Sequence, residues 1–239
     1  KLDTGMNRLG FKSKEEANQV VSFLRKTDRL KVVSVFSHLA GSDDAALDSF
    51  TQHQFERFKT LSQIITTNFS YKIDLHMLNS AGIERFPQMQ LDMVRLGIGL
   101  YGVSVTNLPL QNISSFKSVV SQVKLLKPGE TVGYSRKGKI NHQTEIAVVP
   151  VGYADGLDRK LGNGNGKAFV KGNRVPIIGN ICMDMLMLDV TGLKVEPGDE
   201  VEFFGPNISI TDVAERAGTI PYEILTGISQ RVKRIYLQE

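Results

Sequence analysis

Two hydrophobic periods alternate through the first hundred residues. "SKEEANQVVSFLRK" places apolar residues at helical spacing, and Ser13 followed by Glu16 predicts a capping box at its start. "LKVVSVFSHLA", rich in β-branched and other apolar residues, predicts a buried strand. "DDAALDSFTQHQFERFKTLSQIITTN" then predicts a long amphipathic helix. "YKIDLHMLNS" predicts another strand, "AGIERF" a short helix and "MVRLGIGLYG" a further extended segment, while the opening "KLDTG" has the form of a strand end. Strands alternating with helices imply parallel βα units, in which ligands sit at the carboxyl ends of the strands.

The pattern changes across the linker-like "SVTNLPLQNISS". Beyond it, "KSVVSQVKLLKPGETVGY", "TEIAVVPVGYADG", "KAFVKGNRVPIIG", "ICMDMLMLDV" and "DEVEFFG" are short β-rich runs separated by Gly, Pro, Asn and Asp turns. That spacing predicts antiparallel strands. "LGNGNGKAF" is expected to be a glycine-rich hairpin turn rather than a phosphate loop, and "TDVAERAG" a helix before "PYEILTGISQRVKRIY". The expected organisation is an α/β domain over 1–112 and an all-β domain over 113–239.

Composition narrows the function classes. The 239 residues are 41% hydrophobic and 23% charged, an ordinary globular balance. A single cysteine, Cys182, excludes an internal disulfide and fits a reducing compartment. No apolar run approaches the roughly 20 residues that cross a bilayer, and the start has no apolar signal core. The net charge of +4 is scattered, with only "VKRIY" and "YSRKGK" as small clusters and no nucleic-acid signature. Neither a membrane nor a nucleic acid is expected as a partner; a mild cationic excess suits a small anionic ligand. Lys1 in place of an initiator Met suggests a chain cut from something longer.

Polar side chains gather at the expected strand ends: Arg8 after "LDTG", His38 in "VFSH", Asn79 and Ser80 in "MLNS", and Arg95 just before Gly97 and Gly99. A serine hydroxyl beside a glycine-containing loop can cradle a phosphate. An arginine inside an apolar stretch is costly unless it has a fixed partner. Tyr134, between Gly133 and Ser135, is a candidate acid–base group if a cation lies near it.

These segments resemble the alanine racemase family. The resemblance runs through "KLDTGMNRLGF", "HLAGSDD", "LNSAGIE", "RLGIGLYG", "VGYSRKG", "VGYADGLDR", "GNICMDM" and "PYEILTGISQRV", in order along the chain, and covers the C-terminal two-thirds of the family. It implies the later βα units of a TIM-type barrel, incomplete here, followed by a C-terminal antiparallel β domain. The implied cofactor is pyridoxal 5'-phosphate (PLP). The implied reaction interconverts L- and D-alanine through a PLP aldimine by a two-base mechanism. A cytoplasmic homodimer that shares its active site across the interface and supplies peptidoglycan precursors is also implied.

Residue by residue, Arg95 matches the arginine that donates to the PLP pyridine nitrogen, and His76 a histidine that supports it. Ser80, Gly97 and Ile98 match phosphate contacts, as does Tyr222. Arg8 matches the arginine that touches the cofactor phenolic oxygen and the substrate carboxylate. Met183 matches a residue whose backbone N–H binds that carboxylate from across the dimer, and Tyr153 lies near the entrance. Tyr134 matches the acid–base for L-alanine, with His38 behind it, and Lys1 a lysine often carbamylated in relatives. No metal is implied.

Two departures stand out. The usual arginine before "ICMD" is Asn180, which is expected to loosen a contact near the subunit interface. No Lys-Ala-Asn-Ala-Tyr-Gly type motif, which carries the Schiff-base lysine, occurs in the 239 residues. Two alternatives therefore remain: a non-catalytic PLP-binding or dimerisation module of a fusion protein, and a PLP-dependent amino-acid decarboxylase of the same fold. Decarboxylases oppose the pyridine nitrogen with a carboxylate, which Arg95 disfavours.

Overall fold

The computed structural model describes residues 1–237. Two compact units divide the chain, Lys1–Gln111 and the residues from Asn112 onward.

In the first unit, helix α1 (Lys14–Leu24) begins at the expected capping box: the Ser13 side chain accepts from Glu16 N–H, and the Glu16 carboxylate accepts from Ser13 N–H. Strand β1 (Ser34–Phe36) leads through a 3₁₀ turn into α2 (Asp48–Thr66). The buried positions of α2, Thr51, Gln54, Phe58, Leu61, Ser62 and Ile65, recur every three or four residues and make one stripe. That stripe meets Val35, Leu39, Met77 and Leu78 in the core. Strand β2 (Asp74–His76) pairs in parallel with β1, with Val35 opposite Leu75 and Phe36 opposite His76. Helix α3 (Ser80–Arg85) follows, capped by Asn79, whose Oδ1 accepts from Gly82 N–H at 2.9 Å.

"MVRLGIGLYG" departs from the expected extended segment. Only Met93 bridges, to His76, and Ile98–Tyr101 is a 3₁₀ turn ending at left-handed Gly102. The Ser80 hydroxyl captures the N–H groups of Gly97 and Gly99, so they are not available to a neighbouring strand.

The second unit contains strands β3 (Phe116–Val119), β4 (Gln122–Leu126), β5 (Thr131–Val132), β6 (Gly138–Lys139), β7 (Thr144–Val149), β8 (Lys167–Val170), β9 (Asn173–Ile178), β10 (Leu186–Asp189) and β11 (Glu200–Phe204). Among the described residues these form an antiparallel sheet in the order β3-β11-β8-β9-β10-β7-β4, and a β5-β6 hairpin. Buried positions alternate along β8, β9 and β10, so Leu186 and Leu188 of β10 are fully buried while Met187 between them is not. Helices α4 (Ile210–Ala217) and α5 (Pro221–Gly227) complete the unit.

"LGNGNGKAF" is not the hairpin turn expected of it. It follows a 3₁₀ turn and folds alongside β9, where Gly164 N–H donates to the Ile177 carbonyl and Asn163 N–H to that of Gly179. The β8–β9 hairpin turns instead at Lys171–Gly172. Among the described residues, no helix is long and apolar enough to cross a membrane.

Candidate functional site

The ends of β1 and β2 lie side by side in the first unit, flanked by the chain at Leu2 and at Met93. Leu2 N–H donates to the Phe36 carbonyl at 2.8 Å, Phe36 is opposite His76, and His76 bridges to Met93. One or two residues further along come Ser37 and His38, Met77 and Leu78, and Arg95, whose N–H reaches the Leu78 carbonyl at 2.9 Å. Arg95 is half-buried on this row. Its Nη1 donates to His76 Nδ1 at 2.6 Å; its Nη2 donates to the Ser37 carbonyl at 2.6 Å, the Met77 carbonyl at 3.1 Å and His38 Nδ1 at 3.2 Å. The guanidinium also lies over the Phe36 ring, 5.3 Å from its centroid, and that ring stacks on His76 at 5.1 Å and 3°.

A guanidinium only donates, so both Nδ1 atoms accept and each neutral imidazole carries its proton on Nε2. The electrostatics agree. Burial, then the Arg95 charge, pushes the His76 pKa down. His38 is also lowered, by burial first and then by Arg95, Arg8 and Lys1. Burial lowers the Arg95 pKa too, but a guanidinium stays charged in a protein.

Two supports of this row carried no chemical motif. Phe36 gives its face to both Arg95 and His76. Gln54, fully buried on α2, donates to the His38 carbonyl at 3.2 Å and to Thr4 Oγ1 at 3.3 Å, and accepts from Ala40 N–H at 2.9 Å. The available signal for Gln54 was an amide inside the apolar stripe of an otherwise regular helix. Thr4 in turn shares a 2.7 Å hydrogen bond with Ser37.

Beside the row, buried Ser80 accepts from Gly97 N–H at 2.9 Å and Gly99 N–H at 3.2 Å, and Ile98 sits between them. Arg8 is exposed on the loop that Asp3 organises by accepting from the N–H groups of Gly5 and Asn7. Lys1 Nζ stands 5.9 Å from the Phe36 ring centroid.

In the second unit Tyr134 and Met183 share an open cavity of about 540 Å3, with Cys182, Asp184, Met185 and Met187. The Met183 N–H has no partner among the described residues, whereas its carbonyl accepts from Ala154 N–H at 3.0 Å. Tyr153 N–H likewise donates to the Cys182 carbonyl at 3.1 Å. Only glycine fits at 152, because a Cβ there would lie 2.3 Å from both the Cys182 and Met183 carbonyl oxygens. Arg231 fastens the two loops, donating to Asp155 at 2.8 Å and Asp184 at 2.6 Å. Asn180 makes two side-chain hydrogen bonds within this unit: its Nδ2 donates to the Tyr134 carbonyl at 3.0 Å and its Oδ1 accepts from Asn163 at 2.9 Å. Tyr222 lies on α5.

The donor set fits PLP. On Arg95, Nε–H and one Nη1–H meet no acceptor among the described residues and can serve an unprotonated ring nitrogen. The Ser80 hydroxyl keeps its own proton to donate beside a glycine-rich turn. Among the described residues no group of three His, Cys, Asp or Glu is arranged to hold a metal.

Known proteins match the chain over nearly all of its length. Residues 1–105 match the family description "Alanine racemase, N-terminal domain", and residues 113–236 match "Alanine racemase, C-terminal domain". An alanine racemase of Halothermothrix orenii is 39% identical, over 99% of this chain and 64% of the relative. Alanine racemase from Streptomyces coelicolor superposes with a TM-score of 0.93 at 30% identity, covering 99% of this chain and 65% of the other. That of Bartonella henselae, with covalently bound pyridoxal phosphate, gives 0.85 at 32% identity, covering 98% and 65%. The chain therefore spans a little under two thirds of the length of these relatives. With both of its units matched by family domains, it belongs to the alanine racemase family.

Proposed function

We propose that the protein carrying this chain interconverts L- and D-alanine with PLP, and that residues 1–112 supply the cofactor site and 113–239 the acid–base tyrosine. The observation that carries the proposal is Arg95: a guanidinium fixed against His76 Nδ1 at 2.6 Å, with donors to spare, on the same row of strand ends as the Ser80 turn. Bound PLP would withdraw electrons from the alanine α-carbon and make its proton removable.

The protein's own groups would divide the remaining work. Arg95, supported by His76, holds the ring nitrogen through a hydrogen bond and leaves it unprotonated, which limits electron withdrawal and favours racemisation over transamination. The Ser80 hydroxyl holds the phosphate beside the turn of Gly97 and Ile98, and Tyr222 reaches it. Arg8 binds the substrate carboxylate, aided by the unpartnered N–H of Met183 from across a homodimer, and carbamylated Lys1 orients Arg8. Tyr153 narrows the entrance. Tyr134 removes or returns the α-proton on the L side, and the Nε2–H of His38 supports its phenol oxygen. The compartment is the cytoplasm.

The 239 residues contain no match to the Schiff-base lysine motif, which also supplies the base on the D side. We infer that they represent the later barrel strands and the β domain, and that they do not racemise alanine by themselves. PLP titrated into the 239-residue chain tests the site directly. Reversible binding seen by absorbance is expected, weakened about tenfold by Ser80→Ala, the loss of one charge-assisted hydrogen bond. Equal binding by wild type, Ser80→Ala and Arg95→Ala would remove the assignment.

A further inference from the structure

The turn that presents Tyr134 has an unfavourable backbone. Gly133, Ser135 and Arg136 have φ of 75°, 57° and 51°. Two consecutive residues with a Cβ rarely adopt the left-handed region, and such a turn persists where its surroundings over-determine it. Arg136 closes one side, its N–H on the Gly133 carbonyl and its Nε on Thr131 Oγ1, both at 3.2 Å. On the other side the turn touches Asn180. A Cβ at Gly133 would lie 3.3 Å from both the backbone N and O of Asn180, and Asn180 Nδ2 donates to the Tyr134 carbonyl at 3.0 Å.

A second amide supports the orientation of the first, which the Tyr134 carbonyl demands because it can only accept. Asn163 Nδ2 donates to Asn180 Oδ1 at 2.9 Å, and a flipped Asn180 amide would point oxygen at the Tyr134 carbonyl. Asn163 is itself anchored, its N–H bonded to the Gly179 carbonyl at 2.8 Å.

We propose that Asn180 is a positioning residue for Tyr134, and that Asn163 supports it from behind by donating to its Oδ1. The clamp acts on the main chain of the turn and leaves the phenol oxygen free to face a substrate. Its importance for catalysis rests on the reading of Tyr134 as the acid–base group. An amide is required because one side chain must donate to Tyr134 and accept from Asn163; aspartate can only accept, and alanine does neither.

Fluorine NMR of the chain labelled with fluorotyrosine tests the clamp. The sequence has six tyrosines, and loss of one resonance in Tyr134→Phe assigns the one that matters. In Asn180→Asp and Asn180→Ala the Tyr134 resonance should shift and broaden or double, while the others keep their positions. Asn163→Ala retains the donor to Tyr134, so it should give a smaller change of the same kind; it carries the test by itself if the Asn180 variants do not fold. A Tyr134 resonance unchanged in the folded variants, or a change spread over all tyrosines, would overturn the proposal. The acid–base reading fails separately: if the resonance responds as expected but Tyr134→Phe leaves α-proton exchange intact in a protein that joins this chain to the family's lysine-bearing segment, the clamp stands and the catalytic assignment falls.

Discussion

In the first unit the site side chains are fixed by other side chains and by carbonyls at the ends of parallel strands. In the second they are fixed by the backbone of tight turns. Arg95 is held by two imidazoles, two carbonyls and an aromatic face, all at the ends of the two neighbouring strands β1 and β2. Tyr134 is exposed, and its place is set by a left-handed turn and an amide on its carbonyl. A group that must hold a cofactor in one pose gains from a saturated, half-buried contact set. A group that must exchange a proton with a substrate needs an open phenol on a defined main chain. The difference teaches that the first site should be sensitive to packing beneath it and the second to backbone geometry.

The strongest way to break that contrast is Phe58→Ala. Phe58 is fully buried on α2 beneath the strand ends, and such truncations cost about 3–5 kcal/mol. Residue-resolved hydrogen exchange should show lost protection in α2, β1 and β2, with β7 and β10 little changed. Equal loss in both units would remove the distinction between them.

Gly152→Ala probes the other side. The added Cβ would meet two carbonyl oxygens at 2.3 Å, and overpacking of this kind costs roughly 1–3 kcal/mol. Urea unfolding should show the loss, and amide chemical shifts should move around Met183 and Tyr153 while those around Arg95 stay in place.

The smallest expected effect is one of pH. The folded-state pKa values of His38 and His76 lie below the ordinary 6.5. Below that value the unfolded chain takes up protons that the folded chain does not, so stability is complete above about 6.5 and declines as the pH falls through the window beneath it. Asp74 opposes the trend at His76, whereas Arg95, Arg8 and Lys1 reinforce it at His38. Urea midpoints measured from neutral to mildly acidic pH should fall in the wild type and fall less in the His38→Gln, His76→Gln double variant. Identical slopes would show that the imidazoles are not held neutral.

Much of the fold was legible where a local rule governs it. Ser13 and Glu16 announce α1 because a cap needs only residues three apart, and the α2 stripe follows from periodicity. Strand extents were not legible: "LKVVSVFSHLA" has apolar residues from end to end, yet only Ser34–Phe36 finds a ladder with β2. The turn at Ile98–Tyr101 escaped because Ser80, far away in sequence, decides where the Gly97 and Gly99 N–H groups point. In the candidate site, the placing of Arg95, His76 and Ser80 near neighbouring strand ends was legible by motif. Phe36, Gln54 and Asn163 were not, because they act by stacking or by relaying hydrogen bonds between segments that only folding brings together.

The most direct measurement of the central claim is α-proton exchange from each enantiomer of alanine in deuterated water, using a protein that joins this chain to the family's lysine-bearing segment. If Tyr134 serves the L side, Tyr134→Phe should slow initial exchange from L-alanine by about 10²–10⁴-fold, the usual worth of a positioned acid–base group, and affect D-alanine much less. Initial exchange from L-alanine at the wild-type rate would contradict the account.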